Sequence, residues 1–265
     1  MSEMQNYWEL WSPSWSYVED YCLDLASIQK LIPVIKEPAL VVGAGQGLLV
    51  EELQKSGIKV DGIDAEPQMV AFAKKRRNLE IILANGNKMP FADNAYQTSI
   101  IATGVIDFLD DEEQIQSIIN ETLRITDDAG KVFIAFYKIG SSEQLSRLIG
   151  LITDDGRLHF KRLYQMMRLN PLALIKVTKK EGNIGYLSAF TKLMKVQFLS
   201  SKKEKETMKQ FSKLWKEASN PEQLIDCVPD SVPYRNEEMI RSLFKKLDIP
   251  IQEVFLFDSC IIVQV

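Results

Sequence analysis

The chain has 265 residues, 46% of them hydrophobic and 26% charged, which is ample for a buried core, and its net charge of −4 with a pI near 5.3 argues against a general nucleic-acid binder. No apolar run approaches the roughly 18 residues of a membrane-spanning helix, and the first basic residue is Lys30, so the N-terminal stretch does not read as a secretory or transit signal. Cys22, Cys227 and Cys260 are odd in number and widely spaced, which points away from a disulfide framework or a metal site and towards a reducing, cytoplasmic compartment.

Residues 1–38 read as an N-terminal cap. Tyr7, Trp8, Trp11, Trp15, Tyr17 and Tyr21 fall close together, and Ser12-Pro13 has the form of an N-cap followed by a first helical position. Such a cap either packs its aromatic residues on the core or closes over a pocket; Tyr17 is the candidate for a substrate wall. The periodicity then predicts strands near 39–42, 58–63, 79–83, 98–103 and 131–137, with helices near 48–56, 66–76 and 111–124. Asp110 with Glu113 reads as the capping box of the last helix. Strands alternating with helices imply a parallel sheet with crossovers.

The segment 140–231 interrupts that alternation. It reads as helices near 142–152, 157–169, 171–180, 186–199 and 202–218, with Asn170-Pro171 and Asn220-Pro221 as helix starts. Residues 141–220 carry 16 Lys and Arg against 7 Asp and Glu, so +9 in an otherwise acidic chain. This is either a helical subdomain with a solvated basic face or a lid for an anionic or amphipathic substrate, with peripheral membrane contact as a further reading. The lone His159 in this segment reads as a surface or packing residue. Beyond it, Asn236 caps a helix through Leu247, and Ile251–Phe257 and Ser259–Val265 form an antiparallel hairpin.

Chemistry concentrates where predicted strands end. Ala39 to Val42 run into Gly43-Ala44-Gly45-Gln46-Gly47, and a helix follows at once. Glycine here permits positive φ and close approach of a ligand, and the helix N-terminus offers N–H donors. The dinucleotide fingerprint G-x-G-x-x-G fails, because its third glycine position is Leu48. Asp64 ends the second strand, at a spacing that suits a carboxylate gripping ribose hydroxyls; a helix-cap role before Glu66-Pro67 is the alternative. Asn85 follows the third strand, and Thr103-Gly104 the fourth. Ligands in parallel sheets bind beyond these carboxyl ends.

The residues VVGAGQG, VDGIDAEPQMV, ILANGNKMPFADNAY and SIIATGVIDFLDD, in this order and spacing, resemble the class I S-adenosylmethionine-dependent methyltransferases, over about half of the chain. The chain departs from the family pattern at Val41, where many members have an acid, at Asn85, where many have Asp, and at Tyr96-Gln97. The resemblance implies an α/β, Rossmann-like fold: a mostly parallel seven-stranded sheet with helices on both faces, built from 39–139 and 232–265, with 140–231 as a helical insertion. It implies S-adenosyl-L-methionine as cofactor, held by Gly43, Ala44, Gly45, Gly47, Asp64, Ala65, Asn85, Gly86, Thr103 and Gly104, and no metal. Methyl transfer needs alignment above all, and a base only where the acceptor must lose a proton. Asp107 is placed for that, or for orienting the cofactor's amine; a solvated helix-cap role is the alternative. The acceptor is expected to be small or amphipathic; the Asn/Asp-Pro-Pro-aromatic motif of enzymes that methylate bases is absent from TGVID. A silent cofactor-binding scaffold and a nicotinamide-dependent oxidoreductase are the alternatives.

Overall fold

The computed structural model describes residues 12, 25–138, 152–153, 156–159, 231–257 and 260–265; Tyr17 and the helices expected between 160 and 218 lie outside them. In chain order the described elements are α1 (Leu25–Leu31), β1 (Ala39–Val42), α2 (Leu48–Lys55), β2 (Val60–Asp64), α3 (Pro67–Arg77), β3 (Ile82–Leu83), β4 (Tyr96–Ile101), α4 (Glu112–Ile125), β5 (Thr126–Tyr137), β6 (Arg157–Leu158), β7 (Val232–Pro233), α5 (Glu237–Lys246), β8 (Glu253–Leu256) and β9 (Cys260–Gln264). Contacts divide the chain into two compact units, Cys22–Lys138 with Arg235–Val265, and Met1–Tyr21 with Ile139–Tyr234. Among the described residues no helix is long and apolar enough to cross a membrane.

The first unit carries a seven-stranded sheet in the order β3-β2-β1-β4-β5-β9-β8. The five strands from β3 to β5 pair in parallel; β9 runs antiparallel to β5, and β8 antiparallel to β9. This is the mostly parallel, Rossmann-like seven-stranded sheet that the resemblance implied, and its parallel part is what the alternation predicted. Side chains along β1 alternate between two apolar clusters, as the period of a strand requires. Ala39 and Val41 join Ile28, Leu31, Leu49, Val50, Leu53 and Ala73 of α1 to α3 on one face. Leu40 and Val42 join Ile115, Ile118, Ile119, Ile240 and Phe244 of α4 and α5 on the other. Helices therefore cover both faces, and all four residues of β1 are buried, which explains its uninterrupted apolar run.

Several boundaries differ from those the sequence suggested. β3 is only two residues long, Ile82 and Leu83 pairing with Ile63 and Asp64, and Leu79 and Ile81 before it are buried. β5 begins at Thr126, not 131. Thr126 ends α4 with its hydroxyl on the Thr122 carbonyl (2.7 Å) and a buried hydroxyl contact to Ser99 (2.7 Å), so the strand starts with no loop between. The ladder with β4 shifts register between Tyr96 and Thr98, which absorbs the Asp-Asp-Ala-Gly stretch that would otherwise read as a turn. The cap of α4 is Asp111, whose Oδ1 accepts the N–H groups of Glu113 (3.0 Å) and Gln114 (3.3 Å), and not Asp110. Asn236 caps α5 as expected, accepting from Met239 at 2.9 Å.

In the second unit, Arg157–Leu158 was expected to open a helix but forms β6, antiparallel to β7. Ile152 bridges Leu158, and the Arg157 guanidinium donates to Ser231 through Oγ (2.8 Å) and the carbonyl (3.2 Å). The backbone of a strand that pairs with residues over seventy positions away leaves no local periodicity to detect.

Candidate cofactor site

β1 ends at Val42, and the next turn takes left-handed φ at Gly43 (+73°), Gly45 (+56°) and Gly47 (+88°). Two of these glycines are also required by packing. A Cβ on Gly43 would lie 2.1 Å from Val105 Cγ2, and one on Gly47 would lie 2.5 Å from Leu79 Cδ1. Three N–H donors of the turn are used within the protein. Ala44 donates to the Ile63 carbonyl (2.8 Å), Gly47 to the Ala44 carbonyl (2.9 Å), and Gly45 to Asp64 Oδ2 (2.7 Å). These three N–H groups are therefore not open to a ligand: β2 claims those of Ala44 and Gly45, and the turn itself claims that of Gly47.

Asp64 is the last residue of β2 and is partly exposed, and Ala65 beside it is exposed. Its other oxygen accepts the N–H of Glu66 at 2.9 Å. The cap of α3 is Glu66, whose side chain accepts from Gln68 (3.1 Å), so Asp64 is not the helix cap. Loss of solvent pushes the Asp64 carboxyl up to about 6; the N–H groups of Glu66 and Gly45 work against that rise, while the Glu66 carboxylate adds to it. A carboxylate kept where its charge is disfavoured is a mark of a functional position.

Asn85 is exposed in a small turn, its Oδ1 accepting from the Asn87 N–H (3.2 Å). Gly86 packs flat on the core, since a Cβ there would sit 3.3 Å from Val42 Cγ1 and 3.4 Å from Ile118 Cγ2. The following stretch is held by α4. Glu121 Oε1 accepts the Met89 N–H (2.6 Å), and Arg124 donates to the Phe91 carbonyl (3.1 Å), to Asp93 and to Glu121 (2.8 Å). Sequence reasoning missed this pair; its only local trace is the i,i+3 spacing of an acid and a base.

Thr103 and Gly104 follow β4, with Gly104 at φ +86°. Asp107 is 4% exposed. Its Oδ1 accepts the Gly104 N–H at 2.6 Å and its Oδ2 the Tyr137 N–H at 3.0 Å. Burial pushes this carboxyl up to about 6 as well, against the pull of those N–H groups and the positive charge of Arg235. Arg235 was not singled out from the sequence: it lies 128 residues away and matches no local pattern.

Val41 is fully buried in the cluster under α2, so this chain holds hydrocarbon where an acid is common in the family it resembles. His159 is half-buried directly after β6. Among the described residues no group of three His, Cys, Asp or Glu could hold a metal ion, and Cys260 is a buried free thiol.

The donor set fits S-adenosylmethionine better than a dinucleotide. A pyrophosphate needs main-chain N–H groups, and here Asp64 holds the Gly45 N–H. A sulfonium-bearing nucleoside has hydroxyls for a carboxylate and no phosphate to repel.

Residues 40–134 match the family described as Methyltransferase domain. Among curated proteins, the chain is 32% identical over 93 residues to the demethylmenaquinone methyltransferase of Corynebacterium kroppenstedtii, covering 35% of this chain and 40% of that protein. It is 27% identical over 155 residues to the demethylmenaquinone methyltransferase of Tropheryma whipplei, covering 53% of this chain and 63% of the relative. The chain thus spans about half the length of these relatives. Among solved structures, a protein of Pyrococcus horikoshii superposes with a TM-score of 0.51 at 15% identity, over 94% of this chain and 97% of that one, which establishes a shared fold.

Proposed function

With residues 40–134 forming a methyltransferase domain of the class I, S-adenosylmethionine-dependent family, we propose that this chain transfers a methyl group from S-adenosylmethionine to a small, lipophilic or amphipathic acceptor. The observation that carries the reading is the contact between the glycine turn and the acid of the next strand, Gly45 N–H to Asp64 Oδ2, at the carboxyl edge of the sheet. It joins the turn after β1 to the end of β2, with Asn85-Gly86 and Thr103-Gly104 following the neighbouring strands β3 and β4.

S-adenosylmethionine supplies an electrophilic methyl on a positively charged sulfur. In this proposal Asp64 accepts the ribose hydroxyls through lone pairs that Gly45 and Glu66 leave over, since a carboxylate has about four acceptor positions. The glycine turn gives close approach without a Cβ, and the Asn85 amide meets the base. The Thr103-Gly104 loop lies along the methionine end. No phosphate partner is needed, so the spent N–H groups of the loop cost nothing.

Support for the acceptor class is indirect. Two of the curated relatives are named for demethylmenaquinone. The 141–220 stretch carries +9 beside an acidic remainder, which suits a lid that draws in an anionic or amphipathic molecule. The test is incubation of the protein with methyl-labelled S-adenosylmethionine and a cell extract fractionated into polar and lipid pools. Label transferred into the lipid pool supports the reading. Label found only in polar products overturns the acceptor class, and no cofactor binding by calorimetry overturns the activity.

A further inference from the structure

Asp107 and Arg235 grip the same turn from two sides. The Asp107 carboxylate ties the start of the loop, through the Gly104 N–H (2.6 Å), to the end of β5, through the Tyr137 N–H (3.0 Å). The Arg235 guanidinium donates to carbonyls of the turn: Asp107 at 2.7 Å and Ile106 at 3.4 Å through one terminal nitrogen, and Leu109 at 2.6 Å through the other. A planar fork can serve several carbonyls at fixed spacing, which a lysine cannot. The loop so held bears directly on the glycine turn, because Val105 fills the space over Gly43, where a Cβ would lie 2.1 Å from its Cγ2.

We infer that Arg235 and Asp107 form a clasp that sets the position of the 103–109 loop against Gly43, and that both act as positioning residues for the cofactor pocket. This deepens the methyltransferase reading and rests on it. Asp107 is buried at 4% exposure with a main-chain N–H on each oxygen, so the carboxylate faces the loop it organises and not an acceptor. Arg235 is the first residue of the sheet-bearing unit after the Ile139–Tyr234 stretch. Its neighbour Asn236 caps α5. The point where the chain rejoins the sheet is therefore also the point that fixes the loop.

The test compares wild type with Arg235→Lys, Arg235→Ala and Asp107→Asn, each confirmed as folded by circular dichroism. Two quantities are read: amide hydrogen exchange in the free protein, and calorimetric affinity for S-adenosylmethionine. Exchange of the amides in 103–109 and of Tyr137 should rise about tenfold or more in Arg235→Ala and Asp107→Asn, while those of β1 and α2 stay protected. Affinity should fall about threefold to tenfold, with Arg235→Lys close to Arg235→Ala because its charge survives and its fork does not. A uniform rise in exchange across the sheet would make Arg235 a general stability residue and overturn the clasp. Unchanged loop exchange and affinity would overturn it too, as would full retention by Arg235→Lys. Should wild type bind no S-adenosylmethionine, the function reading fails, while the exchange data still decide whether the clasp exists. If Arg235→Ala does not fold, Arg235→Lys and Asp107→Asn carry the same comparison.

Discussion

Asp64 Oδ2 accepts the N–H of Gly45 at 2.7 Å, across nineteen residues of chain. One hydrogen bond thus joins the glycine turn after β1 to the acid at the end of β2. It spends a donor that an anionic ligand would need, and it fixes a carboxylate where ribose hydroxyls can reach it. The first prediction follows. Asp64→Ala removes charge-assisted hydrogen bonds worth about 1.5–3 kcal/mol, so S-adenosylmethionine affinity falls roughly tenfold to a hundredfold. Calorimetry on the folded variant checks this; unchanged affinity would remove Asp64 from the site. NADH should show no measurable binding to wild type in the same cell.

The two raised carboxyls predict opposite pH dependences for stability and for binding. Asp64 and Asp107 are both pushed up to about 6, chiefly by loss of solvent. A carboxyl raised on folding contributes stability that is fully present below its unfolded value, near 4, and lost as pH rises through 6, on the order of 3 kcal/mol for each group. The thermal midpoint of the free protein should therefore drop between pH 4.5 and 7. The positive charge of Arg235 near Asp107 and the carboxylate of Glu66 near Asp64 moderate the two effects in opposite directions. Binding needs ionised Asp64, so cofactor affinity should rise over the same range. Asp64→Asn should flatten the binding curve and roughly halve the stability drop, the remainder being due to Asp107, as read by titration and scanning calorimetry at half-unit steps.

Gly43 and Gly57 separate packing from backbone strain. Both have positive φ, +73° and +82°. A Cβ at Gly43 meets Val105 at 2.1 Å, and one at Gly57 meets nothing within 4 Å. Gly57→Ala should cost about 1 kcal/mol, the left-handed backbone penalty alone, with cofactor affinity unchanged. Gly43→Ala adds overpacking of about 1–3 kcal/mol and displaces the 103–109 loop, so affinity should fall as well. Equal behaviour of the two variants in denaturant melts and titrations would contradict the placement of Val105.

The Glu121–Arg124 pair holds the stretch after Asn85 by main-chain contacts at Met89 and Phe91. Arg124 is about one-third exposed, which limits the ion pair itself to at most about 1 kcal/mol. The larger effect should be local. Arg124→Ala should speed proteolytic cleavage between residues 85 and 95 several-fold and weaken cofactor binding a few-fold, with the global melting point lowered by only a few degrees. Cleavage at an unaltered rate would show that the turn holds itself.

Local patterns carried much of this protein. Four buried residues before three glycines specify a strand and a turn with positive φ, because both depend on the residues that form them. The alternation of strands and helices specified a parallel sheet, since a crossover joining parallel strands leaves a periodic trace. Asp64 and Gly104 could be placed at strand ends for the same reason. Contacts between distant parts of the chain decided the rest. The sequence could not show that β2 claims the N–H groups of Ala44 and Gly45, because that depends on how closely two strands pair. Nor could it show that Val105 closes the space over Gly43. Asp107 was legible as an acid near the site, but its work as a loop organiser depends on Tyr137, 30 residues on. Arg235 finds its three carbonyls only because the sheet brings the return of the chain beside the end of β4, and a guanidinium's partners are set by that proximity and not by its neighbours in sequence.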